Sequence, residues 1–287
     1  MTRVTLAIPA SFLILALAVP SSSQTSPDSA ETASFPDSMH SNPTHSDLVQ
    51  TAAQQANVAN PVPRTPSEEE LAALCMIRKQ YYEAATIYKR LSDENPKNAT
   101  YLNRLGIALH QQTALNQALK YYQKSLKVDP KYADAQNNIG TIWYERKRYG
   151  KAIRAYQKAI ALRADAPSFH MNLGYAYFAQ KDYERSIASF REALRLDPTA
   201  FESAGSRGGT LIQDRSVTTD RGEFYFLLAK SFALSGNAER CALYLRKAKD
   251  EGYKNIEQIK KDPSFASVLT SPAVLSILEV PAEIAQP

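Results

Sequence analysis

The residues that most often do chemistry are few and scattered in this chain. Its four histidines are His40, His45, His110 and His170, and its two cysteines are Cys75 and Cys241. A metal centre needs three or four such side chains converging at ligand spacing. Here two histidines stand in a polar N-terminal stretch and two lie sixty residues apart, so no metal site is expected. Nucleophilic, metalloprotease and nucleotide motifs are also missing: there is no HExxH, GxSxG, CxxC pair or P-loop. Gly205-Ser-Arg-Gly-Gly-Thr210 is glycine-rich but lacks the lysine and the strand-to-helix setting of a phosphate loop. The sequence therefore predicts no catalytic residue, no cofactor and no enzyme activity.

Over 287 residues the chain is 44% hydrophobic and 22% charged, a globular composition, with a formal charge of +5 that is too small an excess to point to nucleic acid. Residues 1–23 hold Arg3, an apolar run from Val4 to Val19 and a small polar stretch, the order of a secretory signal peptide. The run is shorter than the roughly 20 residues of a membrane span and contains Pro9, so cleavage and an exported, periplasmic or secreted, protein are expected; the alternative is an uncleaved anchor. Residues 24–64 are crowded with Ser, Thr, Pro, Asn and Gln, which bury too little apolar surface to offset ordering entropy, and read as a disordered tether.

Internal periodicity gives the strongest signal. Pro96, Pro130 and Pro198 close similar blocks, 34 residues apart and then twice 34. Laid out at that period from Thr65, Leu71, Leu105, Ile139 and Leu173 share a column, and Ala72, Gly106, Gly140 and Gly174 share the next. Ala84, Ala118, Ala152 and Ser186 follow twelve residues later, then Tyr88, Tyr122, Tyr156 and Phe190. These columns resemble the tetratricopeptide repeat family, and a fifth, divergent copy follows with Ala229 and Cys241 in the small columns.

The resemblance implies an all-α, right-handed superhelical solenoid of antiparallel helix hairpins. Four units are expected over 65–200, an inserted loop at 201–221, a fifth unit at 222–253 and C-terminal capping helices and tail over 254–287. Small residues are expected where helix backbones approach, and the aromatic column is expected to pack into the next hairpin. Cys75 and Cys241 read as separated buried filler rather than a disulfide pair.

In the family the fifth, ninth and twelfth positions of each first helix line a concave groove. Carried onto this chain, with the sixth-position asparagines, they give Asn103, His110, Asn137, Asn138, Thr141, Tyr144, Met171, Asn172, Tyr175 and Phe178 as partner-binding candidates. Tyr144, Tyr175 and Phe178 are expected there as apolar surfaces without a core role. Asn138 and Asn172 are expected to bond the backbone of an extended peptide; on the alternative they satisfy neighbouring helix ends in a closed groove. The fifth positions Glu69, Asn103, Asn137, Met171 and Phe226 depart from the basic clamp that holds acidic chaperone tails. The expected function is a non-enzymatic scaffold for a peptide or helix segment of another protein. Two alternatives stay open: a self-associating homo-oligomeric array, or an accessory of envelope polysaccharide machinery.

Overall fold

The computed structural model describes residues 65–201 and 220–278, so the signal peptide, the tether, nearly all of the inserted loop and the last residues of the tail lie outside the described residues. Among the described residues the structure is helical throughout. Helices pair in chain order as α1 (Glu68–Ile77) with α2 (Tyr81–Glu94), α3 (Ala99–Gln111) with α4 (Leu115–Val128), and α5 (Ala133–Glu145) with α6 (Tyr149–Leu162). Then α7 (Pro167–Ala179) pairs with α8 (Tyr183–Leu196), and α9 (Arg221–Leu234) with α10 (Ala238–Asp250). Each hairpin also packs on the one before it, through α2 with α3, α4 with α5, α6 with α7 and α8 with α9. The result is the solenoid of stacked hairpins that the repeat columns imply.

Local chemistry sets where each helix starts and stops. Ser67 and Glu70 close a reciprocal capping box on α1, with Glu70 N–H donating to Ser67 Oγ at 3.2 Å and Ser67 N–H to Glu70 Oε2 at 2.8 Å. Asn98 caps α3 by accepting from the amides of Thr100 and Tyr101. The second helices end at Glu94, Val128 and Leu196, two residues before Pro96, Pro130 and Pro198, as proline disfavours helix in the residue ahead of it. Where Ala164 stands in place of proline, α6 still ends at Leu162 and Pro167 opens α7.

The turn inside each hairpin also repeats at 34 residues. Lys79, Thr113, Lys147 and Lys181 all adopt φ near +60°, and Gly236 takes that place in the fifth hairpin. In the third, Arg148 N–H reaches the Trp143 carbonyl and Lys147 N–H the Tyr144 carbonyl, each at 2.8 Å, closing a Schellman-type cap. Such a turn reverses the chain within three residues and holds the two helices antiparallel.

The glycine column has a cause that the sequence reading placed elsewhere. A Cβ on Gly106 would lie 2.5 Å from the Tyr122 ring, one on Gly140 2.5 Å from Tyr156, and one on Gly174 2.4 Å from Phe190. Each aromatic ring thus seats on the glycine of its own hairpin rather than solely in the next one. Tyr122, Tyr156 and Phe190 are fully buried, worth about 1.5–3 kcal/mol each. Ser186 in the small column donates its hydroxyl to the Gly174 carbonyl at 2.9 Å and so satisfies a buried polar group.

The largest apolar cluster runs from Tyr144 through the fourth and fifth hairpins to Ile277. Beyond α10 come two 3-10 turns, Ile256–Lys260 and Pro263–Phe265, and then α11 (Pro272–Leu278). Their Ile256, Ile259, Phe265, Val268, Val274 and Ile277 are buried in that cluster, against α9 and α10. Cys75 and Cys241 are separate buried thiols, and burial raises the Cys241 pKa to about 12, which leaves it a packing group.

Candidate interaction face

The ten predicted site residues all fall on the first helices of three consecutive hairpins: Asn103 and His110 on α3, Asn137, Asn138, Thr141 and Tyr144 on α5, and Met171, Asn172, Tyr175 and Phe178 on α7. All ten are buried. What brings them together is a contact between neighbouring repeats. Asn138 Nδ2 donates to Asn103 Oδ1 at 3.0 Å, and Asn172 Nδ2 donates to Asn137 Oδ1 at 3.0 Å. Asn137 Nδ2 lies 3.4 Å from Asn138 Oδ1, which joins the two pairs into one line. A buried amide left without a partner costs about 1–3 kcal/mol, so these bonds fix the stacking register of α3, α5 and α7.

The pairing obeys a rule that spans the array. At the first three steps the sixth position of one hairpin meets the fifth position of the hairpin before it, 35 residues back. At the first step this is Arg104 on Glu69, with Nη1 to Oε1 at 2.5 Å, and Tyr101 adds a bond from its hydroxyl to Glu69 Oε2 at 2.9 Å. The next two steps are the asparagine pairs. At the fourth step the positions hold Met171 and Leu227, both buried in the large apolar cluster. Ionic, amide and amide pairs follow in order, and apolar side chains stand at the fourth step.

His110 and Thr141 are tied into the same face. His110 Nε2 is 2.7 Å from Glu145 Oε1, and the Tyr122 hydroxyl is 3.4 Å from Nδ1, so the imidazole joins α3, α4 and α5. The Tyr156 hydroxyl donates to Thr141 Oγ1 at 3.3 Å, and burial lifts that phenol well above its ordinary pKa. Neither group has the exposure of a general acid or base at a surface.

The aromatic candidates correct an expectation. Tyr144, Tyr175 and Phe178 belong to the main apolar cluster and do have a core role. Tyr175 stacks on Phe224 at 5.3 Å between centroids and meets Phe190 edge-on at 5.5 Å, while Phe178 meets Phe224 edge-on at 5.3 Å. The cause is Phe224 on α9, which reaches back from the fifth hairpin. Sequence reading missed it because the inserted loop breaks the 34-residue count, though the aromatic run Phe224-Tyr225-Phe226 signals it. Among the described residues no group of three or more His, Cys, Asp or Glu side chains could hold a metal, and no helix is long and apolar enough to cross a membrane.

Comparison with known families decides what the second to fourth hairpins are. Profiles described as tetratricopeptide repeat match residues 99–132 and 167–200, and one described as TPR repeat matches 140–181. These segments are tetratricopeptide repeats. No curated protein matches the sequence. Similar solved structures include MamA from Desulfovibrio magneticus RS-1, 18% identical with TM-score 0.44 over 64% of this chain and 92% of that one. YrrB, titled a TPR protein with an unusual peptide-binding site, is 16% identical with TM-score 0.43, over 68% and 90%. The first TPR of Spaghetti (RPAP3), bound to an HSP90 peptide, is 24% identical with TM-score 0.35, over 36% and 82%. In repeat terms, the candidate face is the row of first helices in repeats two to four.

Proposed function

We propose that this protein is an exported, non-enzymatic scaffold that holds an extended segment of another polypeptide along the first helices of repeats two to four. One observation carries the reading: Asn103, Asn138, Asn137 and Asn172 form a single hydrogen-bonded line across three repeats. Side-chain amides in a row, with the Thr141 hydroxyl beside them, are the chemistry by which similar repeats bond an extended peptide main chain. The apolar run at 4–19 supports export through a signal peptide.

The test is retention of a partner from the native envelope and secreted fraction. Asn138→Ala with Asn172→Ala removes the amides but also two buried hydrogen bonds, so a second variant, Asn103→Leu with Asn138→Leu, substitutes an apolar step like that of Met171 and Leu227. A partner held by the unaltered protein and released by both variants, with melting curves that remain cooperative, supports the reading. Equal retention by all three moves the site off this face.

A second reading rests on the first hairpin. Leu71 is 43% exposed, whereas Leu105 in the same column is 2% exposed, and Ile77 and Tyr82 are 79% and 73% exposed where later repeats carry other residues. Self-association through that end would bury them. Sedimentation velocity over a hundredfold concentration range tests it: a constant monomer mass rejects it, and a Tyr82→Ser variant abolishes any dimer it predicts.

A further inference from the structure

The turn of the third repeat carries a second surface that the amide line does not use. The segment Glu145-Arg-Lys-Arg-Tyr-Gly-Lys-Ala-Ile-Arg154 crowds five cations around one acid, and that acid, Glu145, is 2.7 Å from His110. Several cations elsewhere in the array are paired, Arg163 with Asp134, Arg185 with Asp182, Arg195 with Glu192 and Lys230 with Asp262. Among the described residues Lys147, Arg148, Lys151 and Arg154 have no ion-pair partner.

Their arrangement is concave. Trp143, Arg146, Arg148 and Lys151 line a cleft of about 710 Å³, and a second cleft of about 500 Å³, lined by Thr113 to Gln117, shares Arg146 with it. Arg146 donates to Asn116 Oδ1, which bridges the turns of repeats two and three. Trp143 is braced against two apolar clusters, and over its ring stand Lys151 Nζ at 4.6 Å and Arg146 Cζ at 5.4 Å from the centroid. A half-buried indole thus holds two cations in place over the cleft, which lowers the entropy lost when they close on an anion.

From this geometry we infer that the turn edge of repeats two and three is a docking site for an acidic polypeptide segment, with Arg146, Arg148 and Lys151 taking its carboxylates and Trp143 positioning the cations. Charge complementarity selects the occupant: the lining of the larger cleft holds three cations and no acid. Arg146 and Arg148 offer forked donors that match carboxylate geometry, and the neighbouring Asn116 and Gln117 carry amides able to bond a peptide main chain. A sugar ring is disfavoured because cations already stand over the indole where a pyranose would stack. A flat anionic membrane is disfavoured because the cations converge into a cleft rather than spread over a plane. The site is separate from the amide line and stands whether or not that line binds a peptide.

The chain has one tryptophan, so its fluorescence reports on this cleft directly. The full chain is titrated with a ten-residue peptide of alternating glutamate and alanine, with its glutamine counterpart, with vesicles containing phosphatidylglycerol, and with an anionic polysaccharide. The expected result is a saturable shift of Trp143 emission with the acidic peptide only, weakened at least tenfold by Arg148→Glu with Lys151→Glu and by 0.5 M salt. Both altered side chains are exposed, so the array should fold unchanged, and a melting curve verifies it. No shift with the acidic peptide at millimolar concentration overturns the inference. So does equal binding of the glutamine peptide, or tighter binding of vesicles or polysaccharide than of the acidic peptide.

Discussion

Replacing Gly174 with alanine tests the claim that each aromatic ring seats on a glycine of its own hairpin. The new Cβ would stand 2.4 Å from Phe190 Cε1 and 2.5 Å from Cδ1, against an ordinary contact of about 3.5–4.0 Å, so the ring must retreat by about 1 Å. It has little room. Phe190 is fully buried, with Tyr175 at 5.5 Å, Phe201 at 5.3 Å and Phe224 at 6.0 Å between centroids. Overpacking of this kind costs about 1–3 kcal/mol, and a hemmed ring puts the cost near the top of that range. Alanine returns about 1 kcal/mol of helix propensity, leaving a net loss of about 2 kcal/mol. For an array of this size that lowers Tm by about 4–8 °C, with faster hydrogen exchange concentrated in α7 and α8. The fifth hairpin shows how the loss is relieved, since Ala229 and Leu245 occupy the same two columns there and both are buried. Gly174→Ala combined with Phe190→Leu should therefore be less damaging than the sum of the single changes, with a coupling of at least about 1 kcal/mol. A Gly174→Ala protein as stable as the parent, or strictly additive single and double changes, would refute the reasoning.

Three further outcomes follow from the same geometry. Asn138→Ala strands the buried Asn103 carbonyl oxygen and should cost about 1–3 kcal/mol in thermal or urea unfolding, whereas Asn138→Leu with Asn103→Leu should cost less than that single change. Thr113→Gly relieves a β-branched residue at φ +60° and should stabilise by about 0.5–1 kcal/mol, while Gly236→Ala, at φ +74° with open space around it, should destabilise by about the same amount. The Glu223 carboxyl is held above its ordinary value near 4.5, first by burial and then by Asp220. A carboxyl raised in this way favours the fold below its unfolded pKa and loses that contribution as pH rises through the folded one. Glu223→Gln should therefore raise Tm at pH 7 and leave it unchanged near pH 3, as read by calorimetry at both pH values.

The fold was legible in the sequence because its determinants recur. Gly106, Gly140 and Gly174 fall in one column, and Pro96, Pro130 and Pro198 mark the ends of second helices, so a period of 34 residues reveals both without a partner structure. The reason for the glycines was less legible: the ring that excludes a Cβ lies sixteen residues downstream on the other helix, and spacing alone does not say which hairpin it enters. The ten face residues were placed on the right helices, but their contacts were hidden. Asn138 bonds Asn103 and Asn172 bonds Asn137, each 35 residues back, so the rule is offset by one position from the repeat and disappears when columns are read one at a time. Phe224 escaped for a different reason, because the insertion shifts it out of register with the residues it covers.

Short linkers fix the order of the near-identical hairpins, and that offset adds a chemical check on each step. The small and aromatic columns would let any repeat stack on any other, since Gly106 with Tyr122 and Gly140 with Tyr156 are almost interchangeable. The fifth-to-sixth steps are not. Placing α5 after α1 would set Asn138 against Glu69, and placing α7 there would leave Glu69 without Arg104; placing α9 after α3 would bury Asn103 against Leu227. Each exchange removes a charged or amide partner from a position where a partner is present now, at a cost of about 1–3 kcal/mol at the buried Asn103 and less at the half-exposed Glu69, while the correct order satisfies every step. The same line of side chains that the functional reading assigns to a partner peptide is thus a stacking code. A peptide bound there would contact the residues that fix repeat order, so its affinity and the array's stability should change together when any asparagine in the line is altered.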